Sequence, residues 1–513
     1  MLWFTLSGLF FMIQGICCDP QTLLLISLDG FRWDFASKAK TPNLDMLVKT
    51  GVTVPYVRSV FPTVTYAGHH SIVTGLYPES HGIVSNTMYD PVLKEWFGAS
   101  QTDPRWWNAA EPIWVTNQRH KGRSGLLYWL GERVKIKGMY PKYKINSASP
   151  HIDFTNSTGK VMSFEKRVEK LISWLTGPKP PNFVAAYFEE PDKTCHHKGW
   201  PDLPLAIQRV DKTIGLVVQG LKKHHLFDKV NIIVTADHGM ANTSCDKVID
   251  LDKYVNPDNF EFWDSWFNMM LAPKAGKTEE VYERLKNVPH LHVYHKKDVP
   301  MDLHCRNNQR ISPLVLIPSE GWLVSSKKGR LIKISKDMHW VELNHGISCK
   351  CKSMSTSFIA HGPAFKVNFT GKPFESVSIY PLMCKILGIP PQRNNGSLDE
   401  TRDLLRPKML SNNNIKMWGF LQSFGSPYLT LCKPTPEVGL AYLFVGLKKK
   451  EAVEIGRGWT PLSCSQSGLN IRDAAERKKV WESANWSFFL SSPSHCFSIE
   501  SPTHQCYDSR SSS

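Results

Sequence analysis

Three apolar runs of strand length stand out along the chain, and each ends in acidic residues. LLLISLD starts at Leu23, NFVAAYFEEPD at Asn182 and VNIIVTADHG at Val230. Their continuity predicts strands buried on both faces. Between the second and third runs, Ile207, Val210, Ile214, Val217 and Leu221 recur at helical spacing. Phe164, Val168, Ile172 and Leu175 do the same upstream. Strand, helix, strand in this order predicts an α/β fold: a large, mostly parallel central sheet with helices on both faces. The pattern holds from Thr22 to about Leu405. After Leu405 the chain becomes rich in Ser, Lys and Trp without sustained periodicity. The tail 406–513 reads as an appended module, a disordered extension or sequence outside the fold. Its best apolar run, Val438 to Val445, is far too short to cross a bilayer.

In such sheets ligands bind beyond the carboxyl ends of the strands. Asp29, Asp192 and the Asp237-His238 pair each fall just past an apolar run. Three carboxylates on one rim repel one another, and a bound cation would relieve that repulsion. Asp192 and His196 are four residues apart, and His345 lies in the stretch NHG. Oxygen and nitrogen donors of this kind suit zinc, with a position left for water or substrate. Two ions close together would form a clamp for phosphoryl transfer. Singly, His196 and His345 would read as polar loop residues and Asp29 as a turn residue. The joint pattern carries the argument.

The first 18 residues, MLWFTLSGLFFMIQGICC, have the apolar run and small-residue end of a signal peptide. As a membrane anchor the run is short. Sequons at Asn156, Asn242, Asn368, Asn395 and Asn485, with 12 cysteines, fit an oxidising compartment. Over 513 residues the net charge is +16, which favours anionic partners such as phosphate esters, acidic lipids or acidic glycans. No recognition motif for nucleic acid accompanies that charge, so sequence-specific nucleic-acid binding is not expected.

The motifs LDGFRWDF, TPNLDMLVKTGV, FPTVTY, TGLYPESHGIVSNTMYDP, EPIWVTNQ, EEPDKTCHHKG, TADHGM and SMSTSFIAHGPAFK follow one another along the chain. Together they resemble the ectonucleotide pyrophosphatase/phosphodiesterase family of the alkaline phosphatase superfamily. The resemblance runs from about Leu23 to Leu405. It implies an alkaline-phosphatase-like catalytic domain over 19–405, preceded by the signal peptide at 1–18. It implies a zinc-dependent phosphodiesterase that cleaves phosphodiester or pyrophosphate bonds through a phospho-threonine. By resemblance, the second threonine of FPTVT, Thr65, is the nucleophile. One zinc would be held by Asp29, Asp237 and His238 beside Thr65, and the other by Asp192, His196 and His345. Asn86 matches the asparagine that helps to bind phosphate. A free hydroxyl is a poor nucleophile near neutral pH, and a metal that lowers its pKa makes attack on phosphorus feasible. The implied cycle is attack by Thr65, departure of one ester oxygen, and hydrolysis of the phospho-threonine by water. Thr65 also precedes a predicted helix, whose N–H groups would add oxyanion stabilisation.

Neighbouring residues receive plainer readings. Thr63 supports the loop and Ser71 lies on the helix surface. His69 and His70 sit on the helix, one packed and one solvated. His361 lies in a family motif but is no ligand by resemblance. Cys349 and Cys351 could suggest a zinc knuckle, but a disulfide suits a secreted protein better. Several positions depart from the family pattern. Ala67-Gly68 replaces Pro-Asn, which predicts a looser Thr65. Cys195 replaces a glycine and puts a thiol beside a metal histidine. Asn344 replaces an aspartate that would orient His345, and ISC follows where the family has Tyr-Asp-Asn. The WPG[ST]D stretch reads Trp129-Leu-Gly-Glu-Arg133. These departures motivate a second reading, a secreted binding protein on a catalytically impaired scaffold.

Substrate class divides the motifs. Tyr66 and Tyr187 are expected to line the pocket, where aromatic faces serve a nucleobase or a choline group equally well. Val64 leans towards choline phospholipids, because nucleotide-cleaving members commonly carry Lys there. EEPD and YPESHGIVSN lean towards nucleotides. Family members are usually tethered near the C-terminus. The tail here shows no span, so a secreted protein is expected.

Overall fold

The structure is a computed structural model. It describes residues 21–145, 162–244, 246–264, 267, 269–329 and 343–410, with three strands beyond them. The signal segment and the sequons at Asn156 and Asn485 lie outside the described residues, while Asn242, Asn368 and Asn395 are exposed.

Eight strands form the central sheet: β1 Thr22–Leu28, β2 Val52–Thr53, β3 Ser124–Leu127, β4 Tyr143–Ile145, β5 Phe183–Phe188, β6 Val230–Thr235, β7 Phe358–His361 and β8 Phe369–Thr370. Their spatial order is β8-β2-β7-β6-β1-β5-β3-β4. β1 lies parallel between β5 and β6, with Leu23 opposite Phe183 and Asn231. Only β7 runs antiparallel to its sheet neighbours. The three apolar runs are thus the three central strands, and all of β5 and β6 is buried. Burial on both faces is why they read as continuous rather than alternating.

The helices that cover the sheet fall into two groups. α1 Pro42–Thr50, α4 Phe164–Leu175 and α6 Leu203–Lys223 pack with one another. α2 Thr65–Thr74, α3 Ile113–Arg119 and α7 Ile379–Leu387 form the other group. In α6 every residue picked out by periodicity, from Ile207 to Leu221, is buried. In α4 the Ser163 side chain caps the Lys166 N–H, and the buried stripe includes Arg167. That arginine is 0% exposed because it forms a two-pronged ion pair with Glu189, at 2.6 and 3.2 Å.

A smaller antiparallel sheet of Phe260–Phe262, Met270–Pro273, Leu314–Pro318 and Leu291–His295 has its own apolar core. By contact density the chain divides into Met1–Gly419 and Phe420–Ser513. In the second unit Leu429–Leu431, Leu443–Leu447 and Glu451–Ile455 form an antiparallel meander. The short apolar run near Val445 is the middle strand of that meander.

Candidate active site

The stretch after Phe61-Pro62 builds α2. Val64 is extended and caps the helix without a side-chain bond, and Thr65 is the first helical residue. Asn86 provides the missing cap: its Oδ1 accepts the Tyr66 N–H at 2.8 Å. Its amide nitrogen is thereby the end left to donate. All ten residues of α2 are buried. Gly68 lets the helix approach β6 closely, since a Cβ there would lie 2.7 Å from the Asp237 carbonyl oxygen. Thr65 is 5% exposed, with its Oγ1 3.3 Å from His238 Nε2.

Around Thr65 the strand ends converge. Asp29 follows β1, Asp237 and His238 follow β6, and Asp192 opens the short helix α5, Asp192–Lys198. Asp29, Asp237 and His238 form one buried group able to hold a metal ion. Asp192, His238 and His345 form another. His196 stands at the edge of the second group, its Nε2 3.3 Å from Asp192 Oδ1 and its ring 5.1 Å from that of His345. His238 Nε2 lies 3.4 Å from Asp29 Oδ1 and 3.2 Å from Asp237 Oδ2, and His345 Nε2 lies 3.6 Å from Asp192 Oδ1.

The outer nitrogens of these histidines set the tautomers. His238 Nδ1 faces the Gly239 carbonyl at 3.0 Å, and His345 Nδ1 faces the Thr63 carbonyl at 2.8 Å. Each Nδ1 therefore carries the hydrogen, and each Nε2 presents a lone pair to carboxylate oxygens. Asp29 Oδ1 and Asp192 Oδ1 are buried without a hydrogen-bond donor. Lone pairs facing lone pairs in a buried site fit a cation.

The electrostatics point the same way. Burial raises the Asp29 pKa well above the carboxylate range, and the charges of Asp237 and Asp192 raise it further. Burial also opposes ionisation of Asp192, yet His196, His345 and His238 hold its pKa at about 2. For His345 burial and then the neighbouring His238 push the pKa well down, which keeps the imidazole in its ligand form.

A scan of the chain places residues 23–348 in the family described as type I phosphodiesterase / nucleotide pyrophosphatase. The chain belongs to this family. It is 39% identical over 398 residues to ectonucleotide pyrophosphatase/phosphodiesterase family member 5 of Homo sapiens, covering 76% of this chain and 79% of that one. It is 40% identical over 388 residues to a bis(5'-adenosyl)-triphosphatase of Xenopus laevis, covering 75% of this chain and 81% of that one. Among solved structures it resembles murine ectonucleotide pyrophosphatase/phosphodiesterase 5, an inactive Thr-to-Ala form in complex with AMP. That match has a TM-score of 0.68 at 38% identity and covers 75% of this chain and all of the other. The protein is accordingly a phosphodiesterase of the nucleotide pyrophosphatase type, from a metal-dependent family.

As a family member the chain places several neighbours differently from expectation. Tyr187 is not on a substrate wall: it is 1% exposed and its hydroxyl donates to Asp29 Oδ2 at 2.5 Å. Its place on β5 beside β1 turns it under the carboxylate. Tyr66 is 3% exposed and packs edge-on to Phe97. Neither His69 nor His70 is solvated, because α2 is buried all round. His69 Nδ1 sits 2.8 Å from the Thr65 carbonyl and 3.2 Å from Asp237 Oδ2, and its Nε2 meets Ser27 Oγ at 2.9 Å. It clamps α2, Asp237 and β1 together, a role that the spacing of HH could not reveal. His70 packs against His81 and Trp107 with no hydrogen-bond partner, and burial lowers its pKa to about 3. Ser71 is buried and meets His81 Nε2 at 2.9 Å rather than lying on a helix surface.

The departures from the family pattern also resolve. The Cys195 thiol is 0% exposed in the apolar core and joins neither metal group. Asn344 Oδ1 accepts its neighbour's N–H, while the ring of His345 is oriented by Thr63. Thr63 Oγ1 also donates to the Ile347 carbonyl at 2.8 Å and accepts the Gly346 N–H at 3.0 Å. It binds the His345 loop to the loop carrying Thr65. Cys349 and Cys351 are free thiols here and join no metal group among the described residues.

Proposed function

We propose that this phosphodiesterase cleaves the phosphodiester or pyrophosphate bonds of nucleotides through a phospho-threonine formed on Thr65. The observation that carries the reading is Thr65 Oγ1, at a helix N-terminus and 3.3 Å from His238 Nε2, the imidazole that the two buried metal-ligand groups share. We assign two zinc ions, one to Asp29, Asp237, His238 and Thr65, the other to Asp192, His196 and His345. Bound there, zinc would neutralise the carboxylates and lower the pKa of the hydroxyl. Thr65 attacks phosphorus as one ester oxygen leaves, and water then hydrolyses the phospho-threonine. Asn86, held by the Tyr66 N–H, donates its amide hydrogen to a phosphoryl oxygen. His69 holds Thr65 and Asp237 in register throughout.

Nucleotides are favoured over choline phospholipids for a structural reason. Val64 is 0% exposed and cannot read a headgroup, so the residue that leaned towards lipids loses that role. The AMP complex and the bis(5'-adenosyl)-triphosphatase name of relatives support the same choice. The signal-like N-terminus and exposed sequons support an extracellular protein, and among the described residues no helix is long and apolar enough to cross a membrane.

Metal analysis alongside turnover of a p-nitrophenyl nucleotide ester, p-nitrophenyl phosphorylcholine and sphingomyelin tests the reading. Zinc and turnover of the nucleotide ester are expected, lost in Thr65→Ala. Preferred turnover of either choline substrate would overturn the substrate class. Activity surviving Thr65→Ala would overturn the nucleophile. A zinc-loaded protein inactive on all three would return the chain to the impaired-scaffold reading.

A further inference from the structure

Residues 119–145 hold eight Lys or Arg residues and a single acid, Glu132, which is buried. Six of these cations are exposed: Arg119, Lys121, Arg123, Lys135, Lys137 and Lys142. They belong to one surface. Arg119 Nη2 donates to the Lys137 carbonyl at 3.5 Å, and the Lys142 N–H donates to Gln118 Oε1 at 2.8 Å, so the loop before β4 folds back over the end of α3. Arg119 pairs with Glu111 at 3.2 Å. No carboxylate of the described residues lies within 4.0 Å of the other five. Some exposed lysines elsewhere do have such partners, as in Lys274–Glu261, Lys286–Glu283 and Lys350–Asp302, so what sets the segment apart is the density of its cations against a single buried acid.

We propose that this surface binds a linear sulfated polysaccharide and so tethers the enzyme to a polyanionic matrix. Ammonium groups without a carboxylate partner lose little by contacting sulfates and gain by counter-ion release, and Arg123, whose Nε donates to the Pro180 carbonyl at 3.0 Å, adds its charge. Two other polyanions fit less well. Of the large exposed apolar side chains, only Tyr140 lies in the segment, so no wedge is present for a lipid surface. The Lys144 ammonium already sits over one face of the Tyr140 ring at 4.0 Å, and a single aromatic is no platform for stacking successive bases.

The surface is remote from the chemistry. Arg123 and Lys142 immediately precede β3 and β4, whereas Asp29 and Asp237 follow the far ends of β1 and β6. These strands are parallel, so Arg123 and Lys142 lie at the opposite end of the sheet from the metal groups. A bound polysaccharide leaves the site open.

The test compares the full chain with Lys135→Gln/Lys137→Gln/Lys142→Gln and with a charge-matched control, Lys222→Gln/Lys223→Gln/Lys229→Gln. The probe is a size-defined heparin oligosaccharide. The patch variant is expected to lose affinity about tenfold or more, with a shallower salt dependence, and the control to stay within about twofold. Turnover of a small nucleotide ester should be unchanged by saturating oligosaccharide and by the patch substitutions. Equal losses in both variants, or no binding by the wild type, would overturn the proposal. So would tighter binding to phosphatidylserine vesicles or to single-stranded RNA than to the oligosaccharide. Inhibition of turnover by the oligosaccharide would overturn the placement away from the site.

Discussion

The two metal groups share His238 but are built differently. Asp29 and Asp237 come directly off central strands β1 and β6. They are braced by the Tyr187 hydroxyl, the Gly30 N–H and His69. Asp192 and His196 instead ride on a seven-residue helix, and His345 follows the two-residue strand Leu343–Asn344. The main brace on His345 is the Thr63 carbonyl, borrowed from the loop that carries Thr65. Strand-borne ligands inherit the rigidity of the sheet. Ligands on short elements depend on a few contacts. The first group should therefore be the tighter site and the second the one that empties first.

The largest effect that tests this contrast is loss of a hub carboxylate. Asp237→Asn is expected to abolish the first ion and lower turnover about a thousandfold or more. Asp192→Asn should remove only the second ion. Metal content per chain, measured by mass spectrometry with turnover, separates the two. If Asp192→Asn empties both sites, the groups are one cooperative unit and the contrast fails. A smaller effect is expected at the brace. His69→Ala leaves every ligand in place but should cost about 10–100-fold in metal affinity at the first group. A chelator titration that shows instead a selective loss at the second group would reverse the assignment.

Much of this site was legible in the sequence because its ligands sit at the ends of strands. Apolar continuity located β1, β5 and β6, and the first polar residues past them were Asp29, Glu189 to Asp192, and Asp237. What stayed hidden depends on tertiary approach. His69 and His70 are adjacent and chemically identical, and only the packing of α2 gives one of them Asp237 and the other an apolar slot. Tyr187 looked like a wall because aromatic residues near a site often are. Its register opposite Ser27 on β1 instead turns it onto Asp29. The loss of an aspartate at 344 looked damaging because the compensating acceptor is a backbone carbonyl, which leaves no mark in sequence.

Ala67-Gly68 illustrates the same limit and gives a further test. Read as a loss of rigidity, the pair predicted a loose nucleophile. In the fold, Gly68 is where α2 meets the Asp237 backbone, and a Cβ there would lie 2.7 Å from a carbonyl oxygen that cannot yield cheaply. Gly68→Ala should destabilise the protein by about 1–3 kcal/mol. It should also weaken the first metal group more than the second, because the strain falls on Asp237. Thermal unfolding with metal analysis checks both halves. A neutral Gly68→Ala would mean that α2 can slide, and that the first group is no more rigid than the second.

The smallest effect concerns pH. In the metal-free protein Asp29 is raised by burial and by its carboxylate neighbours, whereas Asp192 is held at about 2 by the imidazoles around it. A carboxyl raised on folding binds more protons folded than unfolded, so stability falls as pH climbs from its unfolded value through its folded one. A depressed carboxyl has the opposite sign, and its stabilisation is lost only as pH falls through about 2. Chelated protein should thus gain stability from Asp29 on acidification from its raised folded value towards its unfolded one, by at most about 1.4 kcal/mol per pH unit. Asp29→Asn should remove that slope and Asp192→Asn should not. In the metal-loaded protein the slope should reverse, because protons then compete with the ion for Asp29. Unfolding midpoints of the three chelated proteins across this range isolate the contribution of the Asp29 cluster, since carboxylates outside it cancel in the differences. A slope that disappears in Asp192→Asn instead would place the unrelieved repulsion in the second group, where the imidazoles are arranged to prevent it.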